Sequence, residues 1–473
     1  MAWVEESAPA LFKGIVMIAI SRQLALAVLL DMEQRGRYIN HALRQRLRGL
    51  TMDERDKALV TEIVYGTSQR RRSLDTVLSA VSSRPLTELD LRVLTILRMT
   101  AFQVYFLDRV PVYAAVDDGV ELCKQHVPRA SGFVNGVLRS IVRGGQDITL
   151  KLQKITAKLP WAQAMGIQHS YPDWLVERWE REFGRFRTEQ MLISCNEPPF
   201  LSLRVNAMRG TPEEFLQTQP AAFRSQVELS QVFAQGLRLH HGLDVETWPP
   251  FIRGEVSVQD ETSALVAPLL QPQPGKRLLD MCAGVGTKAT QLAELAGPTG
   301  RVDACDIYSN KLDKLDESSK RLQLDSIRTL LGDARSLPYR SEFQQTYDGV
   351  LLDAPCSGLG VLRRRPDIRW RRQWQDVLTL SQLQRELLSA ALQLVKPGGT
   401  LVYATCTLLP EENQRVVEEV ISQHGRDWLV DDLNEDLPTV LQNAASQEFP
   451  GWLITPEQYG TDGFYMVRLR RRP

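Results

Sequence analysis

No apolar run in the 473 residues approaches the length needed to cross a bilayer, which is about 18 residues. The stretch Gly14 to Ile20 is apolar but short. Arg22 ends it and no small-residue cleavage site follows, so residues 1–19 read as a loose extension, not as a secretory leader. Cysteine is scarce. The six, at 123, 195, 282, 305, 356 and 406, form no Cys-x-x-Cys pair and no Cys/His cluster. That excludes a disulfide framework and a structural zinc site, and reduced thiols fit a cytoplasmic protein. Net charge is lacking too, since 57 basic side chains balance 57 acidic ones. Residues 1–150 alone carry a small excess, 20 basic against 16 acidic with arginine dominant, which is a weak signal for RNA. Internal repeats and low-complexity segments are absent.

What is present is an apolar fraction of 43%, ample for real cores, and a length suited to two or three domains. Residues 20–145 read as helical throughout. Ser21 is placed to cap a helix with Leu24, Ala27, Val28 and Leu30 at helical spacing, and Leu89 to Phe106 repeats apolar residues at three- and four-residue steps. No strand alternation stands out, which predicts a helical bundle. Residues 146–170 follow Gly144-Gly145, carry mixed polar sequence and read as a linker. From Tyr171 a small α+β module is expected to residue 256. It has a helix over Leu175 to Phe183 and an alternating strand at Leu201 to Asn206. Over residues 257–473 the rhythm becomes β/α. Strands are expected at Arg277–Asp280, Val302–Asp306, Thr329–Leu331, Gly349–Asp353 and Thr400–Ala404, with helices between them, and Gly463–Leu469 closes as an edge strand. Such alternation implies a mostly parallel, doubly wound sheet.

Ligands of such sheets bind beyond the carboxyl ends of the strands, and four strand ends carry suitable residues. The first is Asp280-Met281-Cys282-Ala283-Gly284-Val285-Gly286-Thr287-Lys288. Its small residues let a ligand approach the backbone at a helix N-terminus. It is not Gly-x-Gly-x-x-Gly, which argues against a dinucleotide enzyme. The second is Asp306, 26 residues after Asp280, where a carboxylate can accept both hydroxyls of a ribose. The third is Asp333, placed to face an adenine amino group. Either aspartate is also at home as a cap or turn residue. The fourth combines Asp353-Ala354-Pro355-Cys356 with Thr405-Cys406-Thr407. A thiolate is a strong nucleophile at neutral pH, and two of them beside an aspartate suit attack on an electron-poor ring carbon such as carbon 6 of cytosine. Arginines 363, 364, 365, 369, 371 and 372 follow, with Trp370 among them and Asp367 the single acid. They suit an RNA backbone, with Trp370 available to stack on a base. Arg70-Arg71-Arg72 and the arginines at 468 and 470–472 are further candidates.

The runs Asp353 to Trp370 and Tyr403-Ala-Thr-Cys-Thr-Leu-Leu-Pro-Glu-Glu-Asn413, with Ser257 to Ser263 and Asp462-Gly-Phe-Tyr465, resemble the RNA cytosine-C5 methyltransferases of the NOL1/NOP2/Sun group. Across residues 20 to 470 the chain is similar to the bacterial RsmB/Sun type, which modifies 16S ribosomal RNA. Its helical region, with Phe133-Val-Asn-Gly-Val-Leu-Arg139, resembles NusB-type RNA-binding domains. The resemblance implies a multidomain chain. A NusB-like bundle comes first, then a small RNA-binding α+β module, then a Rossmann-like class I methyltransferase domain using S-adenosylmethionine.

It also implies roles. Cys406 is the nucleophile, Asp353 a protonated partner for N3 of the base, and Cys356 the group that assists proton removal or release. Asp306 holds the cofactor ribose and Asp333 its adenine, while Cys282 to Lys288 and Asp353 line the rest. No metal is expected, and a monomer acting on 16S ribosomal RNA or an assembling small subunit is. The first loop departs from the group's Asp-x-Cys-Ala-Ala-Pro-Gly-Gly-Lys-Thr at Val285, Thr287 and Ala289, which predicts weaker cofactor binding through crowding by Thr287. Methylation of tRNA, or an RNA-binding scaffold of low activity, remain the alternatives.

Overall fold

The computed structural model describes residues 20–240, 243–424, 426–433, 436–442, 446–447 and 450–473; the expected extension over 1–19 lies outside them. The described chain divides into two compact units. One comprises 20–177 with 365–367, the other 178–364 and 368–473.

The first unit is helical. Helix Leu91–Phe106 is buried on nearly every side, as a helix apolar all round must be. Helices Ile20–Arg35, Glu54–Gln69, Arg71–Ser79, Val112–His126 and Ser131–Arg143 pack against it. Asp53 and Asp90 cap two of these helices by accepting the Arg55 and Arg92 N–H groups, each worth about 1 kcal/mol. Ser21 is not a cap. It lies inside the first turn of its helix, buried among the core side chains. Gly66 lets Phe102 lie flat on its helix, since a Cβ there would fall 1.9 Å from the ring. Residues 146–170 are not a loose linker. Asp147 caps helix Ile148–Thr156, and helix Trp161–His169 follows. Ile148 and Leu152, four residues apart, bury against Val77, Tyr105 and Phe106. Leu150 and Ile155 of the same helix are apolar but exposed, so they blur that stripe in the sequence.

The second unit contains, among the described residues, a four-stranded and a nine-stranded sheet. The small one is antiparallel, in the order β2 (Val227–Leu229), β3 (Gly236–Leu239), β1 (Leu201–Val205), β4 (Val256–Val258). The large one holds parallel strands β5 (Arg277–Asp280), β6 (Arg301–Asp306), β7 (Ile327–Leu331), β8 (Tyr347–Asp353) and β9 (Val395–Thr405). Antiparallel strands β10 (Trp428–Val430), β11 (Ser446–Gln447), β12 (Trp452–Ile454) and β13 (Phe464–Arg471) complete it. Its order is β11-β12-β13-β9-β8-β5-β6-β7, with β10 also paired to β13. The expected edge strand is therefore interior. Its outer neighbours run only two or three residues, too short to show alternation in the sequence.

From β5 the chain winds one way through β6 and β7, then returns to lay β8 and β9 on the other side. The crevice between β5 and β8 is thus the topological switch point, where open α/β sheets bind their ligands. A buried arginine ties the two sheets together. Arg204 of β1 donates to Glu294 (2.8 Å) and to the Thr287 carbonyl (3.1 Å), both on helix Thr287–Ala296 at that crevice. Among the described residues no helix is long and apolar enough to cross a membrane.

Candidate active site

The first wall is the loop after β5. Gly284 and Gly286 take left-handed conformations (φ 59° and 89°), which side-chain-bearing residues resist. At Gly286 space matters as well, because a Cβ would stand 2.4 Å from Leu315 Cγ. The loop is tied to β6 by Asp306. This buried carboxylate accepts the Gly284 N–H (3.0 Å), the Tyr308 N–H (2.9 Å) and Lys311 Nζ (3.2 Å). Beyond the ends of β5 and β6 and at the end of β7 the apolar side chains Val285, Ile307 and Leu331 stand 47%, 56% and 64% exposed.

Lys288, in the first turn of the following helix, turns back into the crevice. Its Nζ donates to Asp353 Oδ2 (2.7 Å) at the end of β8 and to Ser263 Oγ (2.9 Å). Burial would lower the ammonium's pKa, but the carboxylates of Asp353 and Asp280 raise it on balance. Asp280 is buried, and no side chain donates a hydrogen bond to its carboxyl oxygens. Burial, helped by the charge of Asp353 and opposed by Lys288, pushes its pKa to about 7. Asp353, expected in protonated form, here faces the Lys288 cation. Asp333 is the N-cap of the turn Ala334–Tyr339 and pairs with Arg335 (2.6 Å), whose hydrogen bond holds the carboxyl below its usual range. Cys282 is pushed well up by burial.

The second wall brings the two cysteines together. Asp353 and Ala404 are partners in the β8–β9 register, so the loops after those strands emerge side by side. Cys356 Sγ lies 3.3 Å from Cys406 Sγ, both half-buried. The contact with Cys406, then burial, pushes the Cys356 thiol well up. Backbone bonds hold the loops. Gly360 N–H donates to the Cys406 carbonyl (2.9 Å) and Gly463 N–H to the Gly360 carbonyl (2.8 Å). A Cβ on Gly360 would meet that Gly463 oxygen at 2.2 Å.

Sequence reasoning missed several residues that shape this wall. Buried Glu412 accepts from Ser357 and is hydrogen-bonded to Thr407, the neighbours of the two cysteines. Asn413 donates to the Thr407 carbonyl and Gln384 to that of Pro355. Asp260 and Asp462 both pair with Arg364. All but Gln384 lie within the runs that carry the family resemblance, which was their one signal.

The arginines expected to meet RNA are mostly inside the protein. Arg363 is buried, donating to the carbonyls of Pro198 (2.9 Å), Glu197 and Gly460. Arg364 spans Asp260 and Asp462 at 3.0 Å each and adds the Phe200 carbonyl. Arg369 is fully buried against Asn196 and the Cys195 carbonyl. Arg468 is buried between Asp431 and Asp436, and Arg72 pairs with Asp173. A guanidinium tolerates burial when carbonyls and carboxylates meet its five N–H donors; here those partners are remote in sequence. Arg365 is exposed and Trp370 half-buried.

Three family models match. Residues 267–470 match 16S rRNA methyltransferase RsmB/F, residues 19–143 the NusB family, and residues 171–246 the RsmF/B-like ferredoxin-like domain. The chain is 36% identical to a probable ribosomal RNA small subunit methyltransferase B of Synechocystis, across 95% of this chain and 99% of that one. It is 34% identical to the probable counterpart in Bacillus subtilis (95% and 98%), and 31% to the Shewanella oneidensis enzyme of that name (95% and 98%). Among solved structures, the crystal structure of PH0851 superposes with TM-score 0.77 at 24% identity, covering 95% of this chain and 99% of that one. NSun6 from Pyrococcus horikoshii with SFG gives 0.54 at 20% identity, covering 64% and 99%. The helical first unit, the small sheet module and the Rossmann-like domain are thus the fold of this group.

Proposed function

The chain belongs to the ribosomal RNA small subunit methyltransferase B family, and from that premise we propose that it methylates carbon 5 of a cytosine in 16S ribosomal RNA. The substrate is the RNA itself or an assembling small subunit, and the work is done in the cytoplasm. The observation that carries the cytosine reading is the pair Cys356–Cys406 at 3.3 Å, beside the Lys288–Asp353 pair.

S-adenosylmethionine fits the crevice. The left-handed glycines leave the loop backbone open to a ligand, the exposed Val285, Ile307 and Leu331 offer apolar cover for an adenine, and Asp280 has unmet hydrogen-bonding capacity. Residues Cys282 to Lys288, Asp306 and Asp333 would hold it, the last by exchanging its bond to Arg335. When bound, it supplies an electrophilic methyl group. Thr287 helps to fix the loop, since its carbonyl accepts from Arg204 and from Thr290 Oγ1.

The rest is done by the chain. A flipped-out cytosine exposes carbon 6. Cys406, as thiolate, forms a bond to carbon 6 and the ring's electron density moves toward carbon 5 and N3. Asp353, freed from Lys288 and protonated, donates to N3 and stabilises that charge. Once carbon 5 carries the methyl group, Cys356 assists transfer of the carbon 5 proton to water, or the release step itself, and the electrons of that C–H bond restore the aromatic ring and expel Cys406 as a thiolate.

Transfer of labelled methyl groups to unmodified 16S ribosomal RNA, beside tRNA, with bisulfite mapping, tests the reading. One protected cytosine in the ribosomal RNA is expected. Cys406→Ala abolishes adduct and methylation together, whereas Cys356→Ala accumulates a gel-shifted protein–RNA species. A shifted species confined to the Cys406 variant would reverse the roles. Modification of tRNA alone would move the substrate.

A further inference from the structure

Behind the two cysteines lies a closed group of oxygens. Ser357 Oγ stands 2.5 Å from Glu412 Oε2 and 2.8 Å from Thr407 Oγ1, and Thr407 Oγ1 stands 3.1 Å from the same Oε2. All three residues are fully buried. The other carboxyl oxygen, Oε1, accepts the Ser357 N–H (2.8 Å) and Gln384 Nε2 (3.1 Å).

Counting hydrogens favours a neutral state for this group. Three oxygen–oxygen contacts need three hydrogens, and two hydroxyls supply two. With Glu412 ionised, one of the three contacts has no hydrogen, either the 2.8 Å hydroxyl pair or the 3.1 Å contact of Thr407 with Oε2. A neutral Glu412 closes the ring. Ser357 donates to Oε2, Oε2–H donates to Thr407, and Thr407 donates to Ser357. Oε1 then serves as an ordinary carbonyl acceptor for its two N–H donors.

The charges around it agree. Among the described residues no cation pairs with Glu412. The nearby arginines are engaged elsewhere, Arg372 on the Ser357 carbonyl and Arg385 on Glu419 and Ser381. The adjacent Glu411 pairs with Arg178 and Arg415. The other titratable groups facing Glu412 are acids that its charge would disfavour, Cys356 and Tyr403. Burial pushes the Glu412 carboxyl up against the pull of its four hydrogen bonds.

We infer that Glu412, as a neutral carboxylic acid, is the positioning residue that clamps the loops of both cysteines in one register. The inference rests on the reading above that these cysteines react with the base. Ser357 follows Cys356 and Thr407 follows Cys406, so one side chain sets the distance between the two sulfurs. Neutrality serves the chemistry as well, because a carboxylate here would oppose formation of the thiolate.

Three variants of the full chain, assayed on 16S ribosomal RNA with Cys406→Ala as control, test this. Glu412→Ala is expected to lower kcat about a hundredfold, the scale of a small misplacement of reacting groups, with the thermal shift given by S-adenosylmethionine unchanged. Glu412→Gln, which is neutral and keeps one acceptor and two donors, stays within about tenfold of wild type, the worth of one hydrogen bond. Thr407→Val, which removes one ring member and little volume, falls between them. Wild-type rates in Glu412→Ala or Thr407→Val would overturn the inference, as would Glu412→Gln falling as far as the alanine variant. An infrared difference spectrum of wild type against Glu412→Gln, without RNA, reads the protonated carboxyl directly; its absence at neutral pH refutes the neutral ring. If wild type modified no cytosine, the functional reading would fail while that spectrum still decided the state of Glu412.

Discussion

Replacing Gly286 with alanine separates two costs that the β5 loop imposes. The first is conformational. A Cβ-bearing residue at φ 89° sits in the left-handed region at roughly 1–2 kcal/mol. The second is steric. The new Cβ would stand 2.4 Å from Leu315 Cγ and 2.8 Å from its Cδ1. Leu315 is fully buried, so it cannot swing clear, and overpacking of this kind costs roughly 1–3 kcal/mol. The sum is roughly 2–5 kcal/mol, a large share of a domain's stability. Gly284 is the internal control. Its φ is 59°, but nothing lies within 4 Å of the position of its Cβ, so Gly284→Ala should bear the conformational cost alone. Urea unfolding of the full chain, followed on the transition that S-adenosylmethionine shifts, reads both. Gly286→Ala is expected to be the less stable by roughly 1–3 kcal/mol. The double variant Gly286→Ala with Leu315→Ala should recover a similar amount as a coupling energy. Equal losses at the two glycines, or no coupling to Leu315, would refute the reasoning.

Asp280→Asn bears on pH. The folded-state pKa of Asp280 is raised from 3.8 to about 7, so the native chain binds its proton more tightly than the unfolded chain. The stability this contributes is complete below about pH 4 and is lost as pH rises through about 7. The asparagine variant should therefore match wild type near pH 4 and exceed it by a few kcal/mol near pH 8. Parallel unfolding curves at both pH values would contradict that. Arg364→Ala leaves the buried carboxylates of Asp260 and Asp462 without their shared cation, at about 3 kcal/mol. Because the arginine acts inside the protein, the salt dependence of RNA binding should stay the same, and a shallower slope would restore it as a phosphate contact.

The legible and illegible parts of the sequence differ for physical reasons. Strands β5, β6, β8 and β9 are buried apolar runs ending in polar residues, and such runs announce themselves. The two cysteines and the strand-end aspartates stand out because each follows such a run. Helix Ile148–Thr156 does not, since Ile148 and Leu152 are nearly its whole buried stripe. The interior place of β13 depends on β10 and β12, which are too short to read. The arginines mislead for a deeper reason. Charge along a chain says nothing of distant partners, and Arg364 finds its own 104 residues upstream at Asp260 and 98 downstream at Asp462. Glu412 was hidden beside Glu411, because adjacent glutamates look alike until one meets hydroxyls and the other meets arginines.

The bond from Arg204 to Glu294 bears on how this chain can be cut and rejoined. A truncation between the small sheet and the large one, at residue 256 or 257, would run through β4 and would part a buried cation from its anion. A chimera that takes the small sheet from one relative and the large sheet from another inherits the same difficulty, unless both halves of the pair travel together. The two sheets are expected to exchange their amide hydrogens as one cooperative block, and a piece transplanted from this enzyme must carry both of them.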